Sequence, residues 1–260
     1  MTERISDRLV EALRQLAATE RLMVALDFDG TLAPEVDDPA SARALPEARD
    51  AVLRLRELPA TRVALVSGRA LGGLEQVAQL PNEVLLVGSH GAEIRLDPGD
   101  DALSLTAKER ANRGVLERIL HSVARDLDNV WIEDKPAGFA LHTRLATQLH
   151  SRIAHSAALA QVRAEVDGVT IRSGKNVLEF SVRSATKGHA VEYLRHYTDA
   201  TAVLYAGDDL TDEDAFAVLR SGDVGIKSGE GNTMAEFRVS GPEQLAHALW
   251  LVAEFRCVVG

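Results

Sequence analysis

The chain carries a single cysteine, Cys257. One thiol closes no internal disulfide and builds no thiolate metal cage. No apolar run approaches the ~20 residues that span a bilayer. Met1 to Arg8 is polar and charged on both signs, with no apolar stretch behind it. A cytoplasmic chain with no membrane partner is the expectation. Internal repeats and low-complexity segments are missing, and so is any His-Glu-x-x-His zinc string. Gly168 to Lys175 only imitates a phosphate-binding loop, because Ser173 stands where the spacing needs glycine and Asn176 replaces the hydroxyl residue. Positive charge is scarce: Lys plus Arg number 29 against 39 Asp plus Glu, a net charge of −10. That field repels a phosphate backbone and argues against general nucleic-acid binding. A phosphorylated substrate would need a local cation.

What is present is ordinary globular material. The 260 residues, 46% hydrophobic and 26% charged, suit one large domain or two modest ones. Ile5, Leu9, Leu13, Leu16 and Ala17 recur at helical spacing, so the chain opens on an amphipathic helix. Leu22 to Phe28, Arg62 to Val66, Val84 to Val87 and Ala202 to Ala206 are short apolar runs, each ending in polar or glycine-rich residues. Such runs fit strands buried on both faces of a parallel sheet. Helix-like stretches at Pro46 to Leu58 and Leu71 to Leu80 alternate with them, which reads as a doubly wound α/β core.

The middle differs. Thr106 to Asp126 and Ala146 to Glu165 read as helices. Val130 to Lys135 and Phe139 to Arg144 read as a hairpin, and Val169 to Arg172 with Asn176 to Val182 as a second one around Ser173-Gly174. An α+β domain over 100–184 is therefore expected within a core of 1–99 and 185–260. With a two-residue turn at Pro136-Ala137, Lys135 pairs with Gly138 and Glu133 with Ala140. Strand alternation then sends Glu133, Lys135, His142 and Arg144 to one face. A three-residue turn would set Glu133 beside Leu141. Glu179 likewise points away from Leu178 and Phe180.

Four expected core strands end in Asp27-Phe28-Asp29-Gly30-Thr31, Ser67-Gly68-Arg69, Gly88-Ser89-His90-Gly91 and Gly207-Asp208-Asp209. In open parallel sheets the ligand site lies beyond the carboxyl ends of the strands. Asp27 and Asp29 are two apart on a strand end and share a direction. Like charges held close call for a cation or a proton, and hard oxygen ligands beside a phosphate favour Mg²⁺.

The string Asp27 to Leu32, with Ser67, Lys187 and Gly207 to Asp212 in that order, resembles the four motifs of haloacid dehalogenase-like phosphatases. The cap-region strings are more specific. Gly88 to Glu93, Glu133-Asp134-Lys135, His142-Thr143-Arg144, Gly174-Lys175 and Leu178-Glu179-Phe180 are similar to those of the trehalose-6-phosphate phosphatase family. The resemblance implies a haloacid dehalogenase-like core with an inserted cap. It implies Mg²⁺-dependent hydrolysis of trehalose 6-phosphate, a small sugar phosphate, through an aspartyl-phosphate. Asp27 would be the nucleophile and Asp29 the acid and base, with Ser67 and Lys187 on the phosphoryl oxygens. The metal would sit on Asp27, the backbone carbonyl of Asp29 and Asp208, supported by Asp209 and Asp212. Glu133, Lys135, Arg144 and Glu179 would bind sugar hydroxyls, with His142 and Lys175 as weaker candidates there, and Arg69 and His90 as further substrate contacts. A monomer is expected. Two alternatives stay open: a phosphatase of sucrose 6-phosphate or mannosyl-3-phosphoglycerate, and a non-catalytic sugar-phosphate-binding module. The intact Asp27, Asp29, Lys187 and Asp208 argue against the second.

Overall fold

The structure is a computed structural model and describes residues 5–97, 105–183 and 185–259. The chain divides into two units, Met1–Ala102 with Thr186–Gly260, and Leu103–Ala185. The junction expected at residues 99 and 100 lies outside the described residues, as does Ser184 at the other end of the insertion.

The first unit begins with α1 (Asp7–Ala17), β1 (Leu22–Leu26), α2 (Pro46–Glu57), β2 (Thr61–Val66), α3 (Leu71–Ala78), β3 (Leu85–Gly88) and β4 (Glu93–Arg95). The second unit supplies α4 (Ala107–Ala124), β5 (Trp131–Lys135), β6 (Gly138–His142), α5 (Gln148–Glu165), β7 (Thr170–Gly174) and β8 (Val177–Ser181). The first then resumes with α6 (Lys187–Tyr197), β9 (Ala202–Gly207), α7 (Glu213–Phe216), β10 (Val224–Ser228), β11 (Phe237–Val239) and α8 (Pro242–Val259).

Seven strands form the sheet of the first unit in the order β11-β10-β9-β1-β2-β3-β4. All neighbours are parallel except β3 and β4. All five residues of β1 are buried. Leu22, Val24 and Leu26 pack on one side with α1, α2, α3 and α8; Met23 and Ala25 pack on the other with α6 and α7. Helices on both faces of a parallel sheet make the doubly wound α/β core that the apolar runs predict. Helix α1 starts where Ser6 Oγ accepts the Leu9 amide at 3.3 Å, a side-chain N-cap. Its stripe of Leu9, Leu13 and Leu16 is fully buried, worth roughly 1.5–3 kcal/mol per leucine.

Strands β4, β10 and β11 escape the sequence reading. The two outermost have three residues each, too short for a periodic signal. In β10, Gly225 and Lys227 interrupt the apolar run, although the whole strand is buried.

The second unit is an antiparallel sheet, β5-β6-β8-β7. Lys135 pairs with Gly138, Glu133 with Ala140 and Trp131 with His142, the register that a two-residue Pro136-Ala137 turn requires. Phe139, Leu141, Leu178 and Phe180 face α4 and α5 and make this unit's core. Thr106 and Glu109 cap α4 reciprocally, with Glu109 Oε2 accepting the Thr106 amide at 2.6 Å. The second hairpin corrects the expected turn. Strand β7 runs on through Ser173-Gly174, and Gly174 pairs with Val177, so the turn residues are Lys175-Asn176. Asn176 adopts φ +61°, a left-handed conformation that asparagine tolerates better than most residues.

Candidate active site

Asp27 follows β1, and its amide continues the ladder to the Ala206 carbonyl of β9 at 2.9 Å. Its carboxylate is buried beside Lys187, whose Nζ lies 2.9 Å from Asp27 Oδ1 and 2.8 Å from Asp212 Oδ1. Lys187 opens α6 just after the N-cap Thr186, so the helix start aims the ammonium at the strand ends. Asp212 is fully buried and accepts from four donors. Lys187 Nζ and Tyr205 Oη (2.5 Å) reach Oδ1; the amides of Asp208 (3.1 Å) and Asp209 (2.9 Å) reach Oδ2. That carboxylate has its capacity filled, and it shapes the turn carrying Asp208. Thr31 Oγ1 donates to Asp208 Oδ1 at 3.3 Å.

Two glycines make this packing possible. A Cβ on Gly30, which has φ +71°, would overlap the Asp208 carboxylate, and one on Gly207 would overlap that of Asp212. One oxygen each from Asp27, Asp208 and Asp212 can be chosen so that all lie within 4.8 Å of one another. Burial raises the Asp27 carboxyl well above the usual range, with the charges of Asp212 and Asp208 adding to it and Lys187 opposing. Burial, then the neighbouring Asp212 and Asp209 charges, pushes Asp208 up to about 6 against a hydrogen bond with Asp27 and the charge of Lys187. Burial works to lower the Lys187 ammonium, but the carboxylates of Asp27 and Asp212 outweigh it and hold the group above the ordinary lysine range. The site is thus short of positive charge, and its crowded oxygens suit a hard divalent cation.

The other expected core residues occupy the same end of the sheet. Asp29 is held by Arg69, Nε to Oδ2 and Nη2 to Oδ1, each at 2.5 Å. Ser67 is buried at the end of β2 with its amide on Val87 O, and its Oγ accepts the Arg69 amide at 3.2 Å. The His90 amide donates to Ser67 O at 3.0 Å, and its ring occupies the space that a Cβ on Gly68 would need. Asp209 is exposed and its carboxylate caps the Leu210 amide at 2.6 Å, so it stands outside the acidic cluster.

In the second unit, register places Glu133, Ala140, Glu179 and Arg172 in one cross-strand row. Lys135 Nζ bonds Glu179 Oε1 at 2.6 Å, and His142 Nε2 lies 2.7 Å from Glu133 Oε2. The Trp131 and His142 rings stack at 4.9 Å, 7° from parallel. Arg144 is exposed in the turn after β6, and Lys175 is exposed in the β7–β8 turn.

Tyr205, Lys227, Ser228 and Arg172 carry no mark of a role in the sequence. Tyr205 read as one more apolar strand residue. Lys227 and Ser228 end β10, whose apolar run Gly225 and Lys227 break. Trp131 had a signal, its parity with Glu133 and Lys135.

A seven-stranded sheet interrupted by an antiparallel insertion, with carboxylates at the carboxyl ends of β1 and β9, is a haloacid dehalogenase-like fold, shared with a solved haloacid dehalogenase-like hydrolase of B. subtilis at a TM-score of 0.56 and 16% identity over 88% of this chain and 98% of that one. A profile of the Trehalose-phosphatase family matches residues 25–246. A bifunctional trehalose-6-phosphate synthase/phosphatase of Thermoproteus tenax is 34% identical over 229 residues, covering 86% of this chain and 30% of that protein. A trehalose-phosphate phosphatase of Mycobacterium ulcerans is 31% identical over 267 residues, covering 94% of this chain and 66% of that protein. The chain therefore spans less than two thirds of the length of both curated relatives. The solved C-terminal domain of trehalose-6-phosphate phosphatase from C. albicans matches with a TM-score of 0.75 at 21% identity, over 97% of this chain and 99% of that one, a likeness of fold. The chain belongs to the trehalose-phosphatase family. Among the described residues no helix is long and apolar enough to cross a membrane.

Proposed function

We propose that the chain hydrolyses trehalose 6-phosphate to trehalose and phosphate, with Mg²⁺ as its cation and an aspartyl-phosphate on Asp27 as the intermediate. The observation that carries this reading is Lys187, buried between Asp27 and Asp212 at the carboxyl ends of a parallel sheet. A carboxylate so placed is oriented and kept from water, as a nucleophile needs to be. Asp27 forms a bond to phosphorus as the ester bond to the sugar oxygen breaks. Asp29 gives its proton to that oxygen. Asp29 then takes a proton from water, whose oxygen attacks phosphorus and returns Asp27 as carboxylate.

Lys187, Ser67 and Arg69 supply donors for the phosphoryl oxygens. Mg²⁺ would be held by the carboxylates of Asp27 and Asp208 and the carbonyl of Asp29, and when bound it supplies charge neutralisation for the developing phosphoryl charge. The filled Asp212 carboxylate supports an orienting role behind those ligands, and the Asp209 cap supports one in the turn. Glu133, Lys135, His142, Arg144 and Glu179 offer acceptors and donors to sugar hydroxyls, and His90 stands beside Ser67 as a further contact.

Phosphate release from a panel of sugar phosphates, with Mg²⁺ and with excess chelator, tests this. Rapid release from trehalose 6-phosphate alone, abolished by chelator and restored by Mg²⁺, is expected. Preference for sucrose 6-phosphate or mannosyl-3-phosphoglycerate would reassign the substrate. Absence of release from every member would leave a binding module.

A further inference from the structure

The first unit buries a second lysine at the functional end of its sheet. Lys227, 4% exposed, stands one residue before the end of β10, the neighbour of β9. Its Nζ donates to the backbone carbonyl of Asp208, and Glu213 Oε1 is 4.0 Å away. The other Glu213 oxygen accepts the Met234 amide at 2.7 Å. Ser228, equally buried, donates from Oγ to the carbonyl of Gly30 at 2.8 Å. Two consecutive residues of one strand therefore grip the backbone of two loops: the one that follows β9 and carries Asp208, and the one that follows β1 and carries Asp29.

Burying an ammonium is costly unless it is paired and hydrogen-bonded, and an apolar side chain of similar volume often serves stability as well. What an apolar residue at 227 could not do is hold a carbonyl. We propose that Lys227, with Ser228, is a positioning residue of the cation site: by fixing the Asp208 carbonyl it sets where the Asp208 carboxylate stands relative to Asp27. This rests on the reading above that Asp27 and Asp208 share a cation.

Two physical effects of removing the lysine have opposite signs, so one measurement separates them. Loss of a positive charge near the carboxylates strengthens cation binding by Coulomb's law. Loss of the grip lets Asp208 wander and weakens it. The experiment is direct Mn²⁺ and Mg²⁺ binding, by electron paramagnetic resonance and calorimetry, without substrate. Wild type, Lys227→Met, Lys227→Arg and Ser228→Ala are compared, with thermal unfolding in chelator as a check on folding. Lys227→Met is expected to weaken binding at least tenfold and Lys227→Arg to recover part of that loss. Ser228→Ala, which changes no charge, is expected to weaken binding a few-fold. Unchanged or tighter binding by a folded Lys227→Met overturns the proposal. If Lys227→Met does not fold, unchanged binding by Ser228→Ala overturns it. Wild type that binds neither cation would overturn the shared-cation reading along with it.

Discussion

Arg69 occupies both carboxylate oxygens of Asp29 in a two-point fork. Its third nitrogen donates to Pro39 O at 2.8 Å, and its guanidinium lies 5.9 Å from the centre of the Phe28 ring. A phosphoryl group is another two-oxygen acceptor for the same fork. On the proposed reading, substrate and product would compete with Asp29 for Arg69, and Asp29 would be released when they win. Arg69→Ala is expected to raise the inhibition constant of inorganic phosphate roughly 10- to 100-fold, about 1.4–2.8 kcal/mol. Product-inhibition kinetics check this; an unchanged constant removes Arg69 from anion binding.

Asp27→Asn keeps the shape of the side chain but removes the proposed nucleophile. Turnover is expected to fall by more than ~100-fold, a barrier increase above about 2.7 kcal/mol. The fold should survive, because Lys187 keeps Asp212 as a partner at 2.8 Å. Phosphate release and circular dichroism on the same preparation test both halves. Retention of more than about 1% of activity in the variant would end the covalent reading.

The elements whose cause is local were legible in the sequence, and those whose cause is tertiary were not. Parity along Val130 to Lys135 and Phe139 to Arg144 leaves two registers, one for a two-residue and one for a three-residue turn; Lys135 pairs with Gly138, the two-residue case, and the strand stops at His142, so Arg144 falls in the turn beyond the expected strand. Ser173-Gly174 and Lys175-Asn176 offer similar turn chemistry, and only the register decides between them. The Asp27, Ser67, Lys187 and Asp208 strings point to the core site through their combination and order, since each alone holds ordinary turn, cap or surface residues. Nothing in the string Ala202-Val203-Leu204-Tyr205 marks the hydroxyl that bonds Asp212, since that contact exists only once the following turn has folded back. Lys227 is hidden for the same reason: its acceptor belongs to a neighbouring strand's loop.

The raised carboxyls at the core site make metal-free stability depend on pH with a definite sign. Asp208 sits at about 6 in the folded chain against an ordinary 3.8. The folded state then binds a proton more tightly than the unfolded state, so its stability falls as pH rises through that window. Asp27 acts in the same direction. Glu109, in the second unit, works oppositely. Hydrogen bonds, first from Arg183 and then from Thr106, lower it to about 2 from 4.5, so its contribution is present above 4.5 and is lost only as pH falls toward 2. In chelator, the first unit's unfolding midpoint is expected to be higher at pH 5 than at pH 7. Added Mg²⁺ should raise the pH 7 value, and Asp208→Asn should shrink the pH difference. Scanning calorimetry at the two pH values decides; a midpoint in chelator that climbs from pH 5 to 7 contradicts the electrostatics.

The polar face of the second unit's sheet is where the proposed sugar specificity is tested. Its Glu133 carboxylate is held below the usual range, chiefly by the hydrogen bond from His142 and also by the Lys135 charge, against burial. It is therefore an ionised acceptor at neutral pH. Lys135 and Glu179 stand beside it as a bonded pair, and Trp131, 39% exposed, stacks on His142 on the same face. Sugars present hydroxyls at their rims and C–H surfaces on their ring faces, which suits charged acceptors and donors next to an open indole. Glu133→Ala, Arg144→Ala and Glu179→Ala are each expected to cut kcat/KM for trehalose 6-phosphate roughly 10- to 100-fold, the loss of one or two charged hydrogen bonds. Hydrolysis of a small aryl phosphate, which needs only the core residues, should change little. An optical readout is independent of turnover, because Trp131 and Trp250 are the only tryptophans. Trp250 belongs to the first unit, where its Nε1 donates to Glu47 O at 3.1 Å. In a Trp250→Phe background, trehalose should shift the remaining emission saturably, and Glu133→Ala should weaken that titration. Equal losses on both phosphate esters, with no trehalose-dependent change in emission, would mean that these residues serve the unit's fold rather than the sugar.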